Sequence, residues 1–199
     1  MPHIALNSAE PGIRGLLRYR PQTARPLSEL AEVLLRGPST LTGGERELIA
    51  AYVSSLNDCR YCSSSHSACA AAQLPGGMAL VEQVRADPNT APVSAKMKAL
   101  LKIASVVRHS GRAVTAEHVA QARASGATDV EIHDTVLIAA AFCMFNRYVD
   151  GLAAIAPEDP LLYVAGAQRL VMHGYLMPPA GPGHEARSQA PGPEATHTR

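Results

Sequence analysis

No stretch of this 199-residue chain alternates apolar and polar residues with period two for long enough to make a strand, whereas apolar residues at helical spacing recur along it. That pattern restricts the chain to helices packed on helices, and the fold class it predicts is all-α. The punctuation agrees. Thr42 stands three residues before Glu45, Thr115 three before His118 and Thr128 three before Glu131, each opening a helical run. Gly37-Pro38, Pro75-Gly76-Gly77, Gly111 and Gly126 fall where helices have to stop. The expected helices are 13–19, 28–36, 42 to about 56, 59–73 with Asn57-Asp58 as its cap, 78–86, 94–109, 115–124, 129 to about 153, and 157–175. Residues 1–176 then make one helical domain. Residues 177–199, with five prolines among Gly, Ser and Ala, read as a disordered tail.

Composition narrows the function classes. The chain has no Trp and only two Phe, and Ala and Leu fill its apolar runs, which suits close-packed helices. A net charge of +1, with its arginines scattered, argues against nucleic acid as a partner. The longest apolar run, 135–145, is too short to cross a bilayer, and residues 1–17 lack the continuous apolar core of a secretory leader. A cytoplasmic protein is expected, with its four cysteines kept reduced, so a CxxC is more readily catalytic or metal-binding than a structural staple.

An internal repeat is visible. Glu47 through Cys59-Arg60-Tyr61-Cys62 can be laid on Asp134 through Asn146-Arg147-Tyr148-Val149, with Arg-Tyr on Arg-Tyr and an acid at the same distance upstream. Asn146 and Val149 replace the cysteines, and Ala153 stands where His66 would be. The reading is two helical halves with one active copy, the core motif in 42–73 and a degenerate repeat in about 94–153.

Cys59 and Cys62 lie three apart, so at a helix start both fall on one face and their sulfurs can join. Free N–H groups and the partial positive charge of that terminus favour a thiolate, the form that attacks peroxide. His66 lies one turn beyond Cys62 and can take a thiol proton. Glu47 sits on the preceding helix and reaches His66 if the two helices pack antiparallel. These residues support a cycle. One thiolate attacks the O–O bond and becomes a sulfenic acid, the other cysteine condenses with it, and an external dithiol reopens the disulfide. Cys62, nearer His66, is assigned the attack. Cys59, taken as exposed on the first turn, is assigned resolution and contact with the reductant. Zinc fits poorly, because Cys59 and Cys69 are about 15 Å apart along a helix and no second CxxC or HxxxH completes a site. Cys69 and Cys143, flanked by apolar residues, read as core.

The pattern Glu47-x11-Cys59-x2-Cys62-x3-His66 resembles the core motif of the alkylhydroperoxidase D family, in the carboxymuconolactone decarboxylase-like superfamily. The flanks, 41–54 and 127–142 with Asn146-Arg147, are similar to its peroxidase-related members, and the likeness spans roughly residues 10–170. It implies an all-helical fold with a pseudo-repeat, homo-oligomers such as trimers or hexamers, and a relay in which Glu47 and His66 activate Cys62 with Cys59 as partner. It implies no metal, haem or flavin. One departure bears on the relay: Tyr61 stands where the best-known peroxidases of the family carry a second histidine. The decarboxylase branch does not use a cysteine pair, so the intact pair argues against it. Three functions compete: a thiol-dependent peroxidase for organic hydroperoxides or hydrogen peroxide, a disulfide oxidoreductase acting on a protein thiol, and a redox-sensing oligomer.

Overall fold

Among the residues that the computed structural model describes, 1–6 and 8–176, nine α-helices and one 3-10 turn follow one another and no strand forms. The stretch 177–199, expected as a disordered tail, lies outside the described residues. The helices are α1 (Ile13–Tyr19), α2 (Pro21–Arg36), α3 (Gly43–Leu56), α4 (Arg60–Gln73), α5 (Gly77–Ala86), α6 (Ala95–His109), α7 (Ala116–Ala124), α8 (Asp129–Gly151) and α9 (Pro160–His173), with the 3-10 turn at Gly111–Ala113.

The caps explain most of these boundaries. Thr42 accepts from Glu45 N–H while the Glu45 carboxylate accepts from Thr42 N–H, closing a capping box on α3. Thr128 and Glu131 do the same for α8, and Thr115 with His118 for α7. Three elements differ from the expectation. The last helix, expected at 157–175, runs only Pro160–His173, capped by Asp159 and followed by the turn at Gly174. The second helix begins two turns earlier than its apolar spacing predicts. Pro21 occupies its first turn, where a missing N–H costs nothing, and the helix continues through Pro26 with one hydrogen bond fewer. The fourth helix is capped by Cys59, not by Asn57-Asp58. Asn57 closes α3 instead, and its side chain is taken up elsewhere, donating to Asn146 Oδ1 at 2.8 Å and accepting from Arg108 Nε at 3.0 Å.

Helix α3 is the axis of the molecule. Every residue from Arg46 to Ser54 is buried, and α4, α6 and α8 pack around it. The α3–α4 connection is three residues long. Asp58 takes the left-handed conformation at φ 56°, one of the few non-glycine types that tolerate it, and the chain doubles back. α3 and α4 therefore run antiparallel, and α9 packs along the other side of α4. A further reversal at Gly174, φ 80°, follows α9. A Cβ there would fall 2.5 Å from a Glu32 carboxylate oxygen. The same carboxylate accepts from Tyr175 N–H at 2.7 Å, and this turn brings Tyr175 back to α3.

Candidate active site

The α3–α4 elbow turns what would be helix interior into a helix start. Ser63 N–H is the first of α4 to bond within it, to Cys59 C=O at 2.9 Å, so the N–H groups of Arg60, Tyr61 and Cys62 stay outside the ladder. Cys62 sits at the third position of that first turn, where the helix field favours an anion. Its thiol pKa is lowered. The largest cause is a hydrogen bond from the Cys59 thiol, followed by the positive charge of His66 and a hydrogen bond from Asn146. Burial works the other way. The Cys59 thiol is pushed far above its usual range, because its proton is held by the bond to Cys62 and because it is buried. Of the two sulfurs, Cys62 is thus the more acidic and Cys59 the one that keeps its proton.

Antiparallel packing brings Glu47 of α3 against His66 of α4, with His66 Nδ1 2.7 Å from Glu47 Oε2. The two side chains are 12% and 4% exposed, so water screens this contact little. Burial alone would lower the pKa of His66. The charge and hydrogen bond of Glu47, with the charge of Cys62, outweigh it, and the shift is upward. The other Glu47 oxygen accepts from Tyr175 Oη at 2.5 Å. Burial and the Glu47 charge keep that phenol protonated, well above its usual pKa, so Tyr175 serves here as a donor only. The His66 ring lies between two aromatic rings, edge-on to Phe142 at 4.5 Å and near-parallel to Tyr175 at 6.1 Å.

Cys62 and His66 open onto a cavity of about 350 Å³. Cys59 does not line it. It is fully buried among Leu6, Leu16 and Val149, which corrects the expectation of an exposed first turn. The N-terminal segment, tied across the end of α8 by His3 N–H to Leu152 C=O at 3.0 Å and Gly12 N–H to Ile155 C=O at 2.7 Å, crosses the site. Gly12, at φ 56°, lies against the Tyr61 ring, where a Cβ would come within 2.1 Å of it. Tyr61 thus holds the N-terminal segment and one wall of the cavity, with its ring 6.0 Å from that of Tyr163.

The structure therefore brings Glu47, Cys59, Cys62 and His66 together. It also adds two residues that the sequence reading did not select. Asn146, which replaces a cysteine in the second copy and belongs to the family-like flank, is buried beside Cys62 and donates to Ser54 Oγ at 3.1 Å. Tyr175 is 128 residues from its partner Glu47, and no local pattern marks it. Cys69 is buried, with its thiol pKa raised by burial and by Glu47. Cys143 is half-buried on α8. Among the described residues no group of three or more His, Cys, Asp and Glu side chains is placed to hold a metal ion, and no helix is long and apolar enough to cross a membrane.

An all-helical bundle with a buried cysteine pair next to a carboxylate–histidine pair defines the class of site. The chain belongs to the carboxymuconolactone decarboxylase family, whose model matches residues 21–73 and 75–157. Two solved structures are similar to it. One is a peroxidase-related protein from Silicibacter sp., 25% identical, with a TM-score of 0.70 over 77% of this chain and 78% of that one. The other, described as an alkylhydroperoxidase AhpD core and peroxidase-related protein from Ralstonia eutropha, is 26% identical, with a TM-score of 0.69 over 76% of this chain and 80% of that one. No curated protein matches the chain. The fold and the peroxidase-related, AhpD-like branch thus agree with the resemblance carried by the motif.

Proposed function

We propose that the protein is a thiol-dependent peroxidase in which Cys62 attacks, Cys59 resolves, and His66 with Glu47 handles the proton. The observation that carries this reading is the position of Cys62. It is the lower-pKa sulfur of the pair and lines the cavity that His66 also lines. Glu47 holds Nδ1 of His66, which leaves Nε2 to exchange a proton with the reacting sulfur or the leaving oxygen. The Cys62 thiolate displaces the distal peroxide oxygen. The S–O bond forms as the O–O bond breaks, and the alkoxide takes a proton relayed by His66 and leaves as the alcohol. Cys59 sulfur then attacks the sulfenic acid, a disulfide forms, and water departs. An external dithiol of low molecular weight or on a flexible arm reduces the disulfide by attack at Cys62, the sulfur facing the cavity. The buried Cys59 disfavours the alternative of a folded protein thiol docking at an exposed first turn. The same reading carries a cytoplasmic homo-oligomer, trimer or hexamer. Val130, Leu137 and Met144 form an exposed apolar stripe along α8, spaced as a helix–helix contact requires.

Limiting peroxide followed by mass spectrometry tests the cycle. We expect a single Cys59–Cys62 disulfide in the wild type and a sulfenic acid trapped on Cys62 in Cys59→Ser. Peroxide turnover retained in Cys62→Ser would sink the assignment.

A further inference from the structure

We propose that the cavity takes an acyl chain ending in a carboxylate. On the peroxidase reading, its substrate is then the hydroperoxide of such an acid rather than hydrogen peroxide. The volume, about 350 Å³, falls within the range of small-molecule sites, about 300–1,000 Å³. Its wall is largely apolar, with Ile13, Leu17, Leu27, Phe142, Phe145 and Leu170 among the lining residues. Hydrogen peroxide has no group to place against such a wall, whereas an alkyl chain gains by covering it.

Apart from the reacting sulfur of Cys62, the charges that line the same cavity are of one sign. Arg14, Arg18 and Arg169 line it, and no Asp or Glu does. Arg14 and Arg18 share a single carboxylate, Glu10, at 3.2 and 3.3 Å, and their side chains are 36% and 33% exposed. Arg169 has no carboxylate within ion-pair distance among the described residues. Three guanidinium groups against one carboxylate leave an excess of positive charge, and a planar guanidinium is well matched to a carboxylate. A second observation points the same way. Ser28 is buried and lines the cavity, and its hydroxyl has no hydrogen-bond partner among the described residues. A buried hydroxyl left unpaired is costly, and a polar ligand atom that reaches it removes that cost on binding.

The test is equilibrium binding to the full chain, by calorimetry, of three ligands with one chain length: octanoate, methyl octanoate and octylammonium. We expect octanoate to bind about tenfold more tightly than the ester, with the cation weakest, and the preference to shrink as salt is added. The exposed Arg169→Gln variant should cut the preference about threefold while leaving ester affinity in place. Equal affinity for octanoate and its ester in the wild type overturns the inference, as does a preference unchanged in Arg169→Gln. None of these ligands can oxidise Cys62, so the result does not depend on turnover. Octanoate preference in a protein that reduces no hydroperoxide would refute the peroxidase reading and leave the ligand class standing.

Discussion

The segment α3–α4 and the helix α8 share an Arg-Tyr pair with an acid at the same distance upstream, yet differ in geometry. Laid Arg60-Tyr61 on Arg147-Tyr148, Asp58 falls on Phe145. In the first segment the chain turns at that point through a left-handed residue and starts a new helix. In the second it runs on as one helix from Asp129 to Gly151. Position 62 therefore has an N–H outside the ladder and a helix N-terminus around it. Its counterpart, Val149, lies in the last turn of α8, with its own N–H inside the ladder and the helix C-terminus beside it. A helix start favours the thiolate form, so the elbow matters as well as the cysteines.

That comparison can be broken by moving the pair. Cys62→Ser should lower peroxide consumption by roughly a thousandfold or more, as loss of a nucleophile does. Adding Asn146→Cys and Val149→Cys to that variant rebuilds a CxxC on α8. Recovered turnover, or a newly low-pKa thiol in alkylation rates against pH, would show that the elbow is dispensable. We expect neither.

The two segments also differ in how they use a buried acid. Glu47 meets a histidine and a phenol, groups that exchange or donate single protons. Glu131, as deeply buried, meets the Lys96 ammonium at 2.8 Å, the Thr40 hydroxyl at 2.9 Å and the backbone N–H of Thr128 at 2.8 Å. Burial would raise the Glu131 carboxyl pKa, but those partners outweigh it and bring it down to about 2. Glu47→Gln should cost turnover about a hundredfold through the relay and move the Cys62 alkylation profile to higher pH. Glu131→Gln should leave the chemistry alone and act on stability. A carboxyl with its folded pKa below its unfolded value stabilises above the unfolded pKa, here 4.5, and that contribution drains as pH falls toward 2. The amount is about 3 kcal/mol. Melting of the wild type between those pH values should therefore be steeper than that of Glu131→Gln. Equal slopes would mean that Glu131 is not held as an ion.

How much of this was legible in the sequence follows from the range of each interaction. The boxes at Thr42, Thr115 and Thr128 involve residues three apart, and all three form. The all-helical class rests on periodicity, which is also local. Asn57-Asp58 was misread because Asn57 faces two candidate uses, and long-range partners, Asn146 and Arg108, win over capping. Pro26 shows the reverse, a local breaker overridden by the packing of α2. Burial of Cys59 was not legible, since Leu6, Leu16 and Val149 come from three other parts of the chain. The pairing of Glu47 with His66 needed only the guess that a short elbow folds two helices antiparallel. Tyr175 needed the path of α9 and its terminal glycine turn, which no spacing encodes.

Asn146 is where the two segments meet, and it gives the smallest and most specific effect. Aligned with Cys59, it belongs to the segment without cysteines at these positions, yet it reaches across to the elbow, accepting from Asn57 and donating to Ser54. Its hydrogen bond also helps to lower the Cys62 pKa, behind the Cys59 thiol and the His66 charge. Asn146→Ala should raise the midpoint of the Cys62 alkylation profile by about half a pH unit, which corresponds to about 0.7 kcal/mol, and slow turnover a few-fold. The variant also leaves Asn57 and Ser54 short of a partner, a stability loss of about 1–3 kcal/mol that can blur the reading. Ser54→Ala separates the two effects, because it breaks the same structural bond and keeps the Asn146 amide beside Cys62. If Asn146 acts on the thiol directly, Ser54→Ala lowers the melting temperature and leaves the alkylation midpoint in place. If both variants move the midpoint equally, the elbow is tuned by packing alone and the second segment contributes no donor to the first.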